Sequence, residues 1–148
     1  MNFNNFDKLA PWVESIRFDE QKRRWIAHFL PGAIVESRKF ENIANSLADH
    51  VMNEIAMLVA EALNVSADEM KQKRGKQEVT DAKQVAAIII VKKMNGLRSY
   101  RAIGRSLGWR NHSMVCHSLK NFSTLEIMKK VRRVESRYPI LNNGLNRI

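Results

Sequence analysis

From Ser37 to Asn64 the apolar residues Phe40, Ile43, Ala44, Leu47, Val51, Ile55, Leu58, Val59 and Leu63 keep the three-and-four spacing of one helix face for about seven turns. A stripe that long in a chain of 148 residues dictates a helical framework, because the remaining elements must either cover it or leave it for a partner. Only 6 Gly and 3 Pro are present, too few for the many tight turns of an all-β fold. The expected class is all-α, with an N-terminal helical region over residues 1–64 and a second helical domain over 65–148. The stripe either closes an intramolecular core or pairs residues 37–63 with a second copy or another protein.

Shorter elements flank it. Pro11 marks a turn or a first helical turn. Phe18 to Leu30 reads as a short helix capped by Asp19, with Trp25, Ile26 and Phe29 on one face and Pro31-Gly32 as its stop. Ser66 and Glu69 form a capping box that opens a short helix, followed by a basic loop from Lys71 to Lys76. A helix starting at Thr80 or Asp81 runs through Met94 and closes at Asn95-Gly96. Its centre, Ala86 to Val91, suits a buried strand as well as a helix, and the flanking caps and length favour helix. Ser99 caps a helix through Leu107 with Tyr100, Ile103 and Leu107 inward, and Gly108 ends it. Asn111 can cap the next, with Met114, Val115 and Leu119 inside and His112 and Ser113 in its exposed first turn. A last helix opens at Ser123 or Thr124 and ends at Pro139; the tail from Asn142 reads as loop.

The longest uncharged apolar run, Val85 to Val91, is far short of the roughly 20 residues a membrane span needs. The N-terminus carries no secretory pattern. The single cysteine, Cys116, cannot form an internal disulfide. A cytoplasmic, nucleoid-associated location is expected. Net charge is +10, and it is uneven: residues 1–64 carry 7 basic and 9 acidic side chains, residues 65–148 carry 18 and 6. That surplus points to a polyanionic partner, either nucleic acid or an anionic membrane surface. His112, Cys116 and His117 are not expected to hold a metal, because helical spacing puts His117 on a different face from His112 and there is no second ligand cluster. Gly75-Lys76 lacks the upstream glycine and the following Ser or Thr of a phosphate loop, so no nucleotide, metal or other cofactor is expected. The acidic residues are scattered rather than clustered, which argues against a metal-dependent nuclease or transposase.

Two short helices joined through a glycine outline a helix-turn-helix. The stretch Ser99-Tyr100-Arg101-Ala102-Ile103-Gly104-Arg105-Ser106-Leu107-Gly108-Trp109-Arg110-Asn111-His112-Ser113-Met114-Val115-Cys116-His117-Ser118 resembles the signature of the C-terminal DNA-binding domain of the bacterial replication initiator DnaA, and the resemblance covers residues 67–119. It implies a Trp-repressor-like helix-turn-helix that binds duplex DNA. Carried over by position, base-reading roles fall on Asn111, His112, Ser113 and Met114, and phosphate contacts on Arg110 and His117. Lys83 and Gln84 stand where the family has an Arg-Gln pair. The basic loop matches the one from which the family inserts an arginine into the minor groove; Gly75 occupies that place and Arg74 precedes it. Lys76, Tyr100, Arg101 and Lys120 complete the candidate set, with no catalytic residue.

Two differences bear on specificity. The family's Asp is Asn111 and its second Thr is Met114; Asn can bond adenine through two atoms, whereas Met can only pack against an apolar group such as the thymine methyl. Trp109 replaces a small residue in the turn, which bears on the docking angle. The implied role is sequence-specific regulation of replication or transcription. The alternatives are the targeting part of a transposase or nuclease, and an RNA-binding protein.

Overall fold

The computed structural model describes residues 7–72, 75–94 and 96–141; Arg74, Asn95 and the tail from 142 lie outside the described residues. The region read as the first helix is a three-stranded antiparallel sheet, so the chain is not all-α. A 3-10 turn over Asp7–Trp12, containing Pro11, leads into β1 (Val13–Asp19), β2 (Arg24–Phe29) and β3 (Ala33–Ser37), hydrogen-bonded in the order β1-β2-β3.

The residues that suggested a helix serve a hairpin equally well. An aspartate oxygen accepts an amide a few residues on both at a helix cap and at a turn. Here Asp19 Oδ1 accepts the Lys22 amide at 3.0 Å and opens the β1–β2 turn, in which Arg23 takes φ 52°. That amide also holds the Asp19 carboxyl below the usual carboxylate range. Trp25, Ala27 and Phe29 alternate along β2 and pack against the core, while Ile26 lies buried on the opposite face. Pro31 and Gly32 form the β2–β3 turn rather than a helix stop, with Phe29 opposite Ala33.

Helix α1 (Phe40–Ala62) carries the long stripe and packs against β2 and β3. Leu47, Val51 and Ile55 have no exposure, and Leu58 is partly buried on the same core. The stripe is thus occupied within the chain, and the side left outside includes Met57. His50 Nε2 donates to the Leu30 carbonyl at 2.6 Å and ties the end of β2 to α1. The helix closes as its sequence predicts: Asn64 takes φ 58°, and the Val65 amide donates to Ala60 at 2.9 Å.

The reciprocal cap forms too, with the Glu69 amide donating to Ser66 Oγ at 3.1 Å and the Ser66 amide to Glu69 Oε1 at 3.4 Å. It opens only a 3-10 turn, Glu69–Lys71. Helix α2 (Gln77–Met94) starts about one turn earlier than expected. Every residue from Ala82 to Ile90 is buried, because α1, α3 (Tyr100–Ser106), α4 (Ser113–Asn121) and α5 (Leu125–Arg137) surround it. A helix apolar on all sides is a central helix, which explains its ambiguous β-branched run. Lys130 to Asp81 at 2.9 Å and Lys92 to Glu135 at 3.0 Å fasten α5 to α2. Pro139 starts the closing 3-10 turn, Pro139–Leu141. One core runs from Leu9 to Leu141. Among the described residues no helix is long and apolar enough to cross a membrane.

Lys93 sits in that core, 4% exposed, with its ammonium donating to the Ile140 carbonyl at 3.4 Å. Burial is the main reason its pKa is pushed down to about 8; Lys92 and Lys8 add to the shift and Glu135 opposes it. The unfolded chain binds this proton more tightly than the folded one, so the cost is present in full below about pH 8 and relieved as pH rises through that value. Lys93→Met should therefore stabilise the fold near neutral pH by about 1–3 kcal/mol. Chemical denaturation of the two proteins should show that gap narrowing as the pH approaches about 10.

Candidate nucleic-acid interface

Helix α3 is capped as expected, with Ser99 Oγ accepting the Ala102 amide at 3.1 Å. It ends at Gly108, whose φ of 79° is a conformation that side-chain-bearing residues avoid. The chain then folds back: the Trp109 amide donates to the Gly104 carbonyl at 2.9 Å, and a Cβ on Gly104 would stand 2.8 Å from the Asn111 carbonyl oxygen. Ile103, Leu107, Trp109 and Val115 are buried in the core. Trp109 is 9% exposed and so acts as a core residue of the turn. Tyr100, expected to face inward, is 41% exposed. Two helices joined in this way form a helix-turn-helix.

The second helix, α4, presents its polar residues outward. Arg110, Asn111, His112, Ser113, His117 and Lys120 are exposed, Met114 is partly buried, and Val115 and Ser118 are buried. Ser113, His117 and Lys120 recur at helical spacing and share a face. Asn111 Oδ1 accepts the Ser113 amide at 2.9 Å, which fixes its side chain at the start of the helix. A carbonyl oxygen has two lone pairs, so Asn111 can still accept from a base while its amide nitrogen donates.

Lys83 and Gln84 are not on this surface. Lys83 is 3% exposed and its ammonium donates to the Gln72 carbonyl; burial pushes its pKa down. Gln84 is 6% exposed, with Oε1 accepting from Asn121 Nδ2 at 3.3 Å. Lys76 is exposed just ahead of α2, and Arg101 is exposed on α3. The start of the basic segment lies against the helix-turn-helix, since a Cβ on Gly108 would run into the Lys71 carbonyl. Arg74 lies outside the described residues.

The electrostatics follow from where acids are missing. No Asp or Glu occurs between Asp81 and Glu126, the stretch that contains the whole helix-turn-helix. Asp81, Glu126 and Glu135 pair with Lys130 or Lys92 on α2 and α5. Among the described residues no ion pair engages Lys76, Arg101, Arg105, Arg110 or Lys120. Sequence reasoning passed over this acid-free run, and also over Lys129, Arg132 and Arg133, which α5 exposes.

Comparison with known proteins points to the same helix-turn-helix. Residues 52–121 match the family described as the bacterial dnaA protein helix-turn-helix. The match runs from the middle of α1 to the end of α4, leaving the sheet and α5 outside it. Over 94 residues, 64% of this chain, the sequence is 30% identical to the chromosomal replication initiator protein DnaA of Sphingopyxis alaskensis. The chain spans about a fifth of that relative's length, 20%. No solved structure matches it. The chain carries a helix-turn-helix domain like the C-terminal domain of DnaA.

Proposed function

We propose that this chain, built around a DnaA-like helix-turn-helix, binds duplex DNA sequence-specifically and regulates initiation of replication or transcription by occupying its sites. The observation that carries this reading is the exposed row Arg110, Asn111, His112 and Ser113 at the start of α4, on a segment free of acidic residues. A helix N-terminus set against the major groove brings its first-turn side chains to base edges. Asn111, His112 and Ser113, with Met114 beside them, read bases; Arg110, His117, Lys120, Lys76 and Arg101 contact phosphate, which positions the protein without reading sequence. The chain acts by binding, with no chemistry of its own, needs no nucleotide and associates with the nucleoid. A protein partner or second copy on residues 37–63 uses the side of α1 that carries Met57, since the apolar stripe is buried.

Selection of bound sequences from a pool of random duplex DNA tests the reading. One motif should be enriched. Asn111→Ala or His112→Ala should relax it at individual positions, each contact being worth about 1–3 kcal/mol of discrimination. A pool that stays random under wild-type selection contradicts the proposal.

A further inference from the structure

Between α2, α4 and the start of α5 lies a polar groove lined by Gln77, Thr80, Gln84, His117 and Asn121 among others. Across it runs a short chain of side-chain bonds. Asn121 Nδ2 stands 3.3 Å from Gln84 Oε1 and 3.1 Å from His117 Nε2. A primary amide nitrogen carries two hydrogens, enough for both acceptors. Gln84 is almost completely buried on the central helix and supplies the fixed end; His117 is exposed and forms the free end.

We propose that Asn121 and Gln84 are positioning residues for His117, an inference that rests on the reading of His117 as a phosphate contact. With Nε2 accepting from Asn121, the neutral ring must carry its proton on Nδ1, the tautomer that an unconstrained histidine side chain disfavours. Nδ1 then carries the ring's N–H on an exposed side chain, and a phosphate oxygen can accept it. The ring is held in rotation by the same bond, so less freedom is lost when DNA binds. Asn121 thus contributes to DNA binding through His117 without touching the duplex, and Gln84 contributes through Asn121.

The test uses the full chain. Nitrogen-15 spectra of the histidine rings, with the His117 signals identified by their loss in His117→Ala, should place the neutral ring's proton on Nδ1. Asn121→Ala should return it to Nε2. Gln84→Leu, which keeps the buried volume but frees the Asn121 amide to turn, should give a mixture. On duplex DNA, Asn121→Ala should weaken binding by about three- to tenfold on selected and random sequences alike. On a His117→Ala background it should cost nothing more, as expected of two residues acting in series. A wild-type ring protonated on Nε2 overturns the proposal whatever the DNA affinities are. A loss from Asn121→Ala that persists without His117 also overturns it, by making Asn121 a direct contact. If His117→Ala leaves affinity unchanged, the phosphate reading fails and the proposal with it, while the tautomer still reports the amide pair.

Discussion

Raising the salt from about 50 to about 200 mM should weaken binding to duplex DNA by about 500-fold, if about five cations neutralise phosphate. Among the described residues Lys76, Arg101, Arg105, Arg110 and Lys120 are exposed and engaged in no ion pair, so none of them has to give up a described carboxylate in order to meet a phosphate. Each phosphate contact releases condensed counterions and adds about 0.9 to the slope of log affinity against log salt. Arg110→Ala should lower that slope by about one and weaken all sequences equally, because a phosphate contact carries no sequence information. Fluorescence anisotropy across a salt series reads both. A flat response would remove the electrostatic basis of the site.

Gly108→Ala should cost about 3 kcal/mol or more of folding stability, the largest loss expected from adding a single methyl group. Two penalties coincide at this position. A φ of 79° strains any side-chain-bearing residue, and the new Cβ would collide with the backbone of Lys71, which has no rotamer with which to yield. Gly104→Ala meets only the second kind of penalty, a 2.8 Å approach to the Asn111 carbonyl, and should cost less, about 1–2 kcal/mol. Denaturant unfolding of both variants orders the two effects. An unchanged midpoint for Gly108→Ala would contradict both the left-handed backbone at Gly108 and the packing of Lys71 against the turn.

The long helix was legible because its period persists over many residues and its end carries its own signal, Asn64 in the left-handed region. The helix-turn-helix was legible because Ser99 and Asn111 act locally, each bonding an amide two or three residues on. The sheet was not legible. Asp19, Trp25, Ile26, Phe29 and Pro31-Gly32 satisfy the rules for a capped, amphipathic, terminated helix and for a hairpin at once, and only pairing with residues 13–17 and 33–37 decides between them. The site divided in the same way. The exposed start of α4 follows from helical spacing, whereas the burial of Lys83 depends on a carbonyl at Gln72 that the sequence alone does not place beside it. The acid-free interval from residue 82 to 125 was in plain view and needed only a finer division of the charge than by halves.

Asn111 and His112, at the N-terminal end of α4, are the residues proposed to read bases. That role is read in the ratio of affinities for the selected duplex and a scrambled duplex of the same composition, for the wild type and for Asn111→Ala with His112→Ala combined. The double variant should lose about 2–6 kcal/mol of that discrimination while its affinity for scrambled DNA changes little. A ratio that survives both substitutions, or affinities that fall equally on both duplexes, would contradict it.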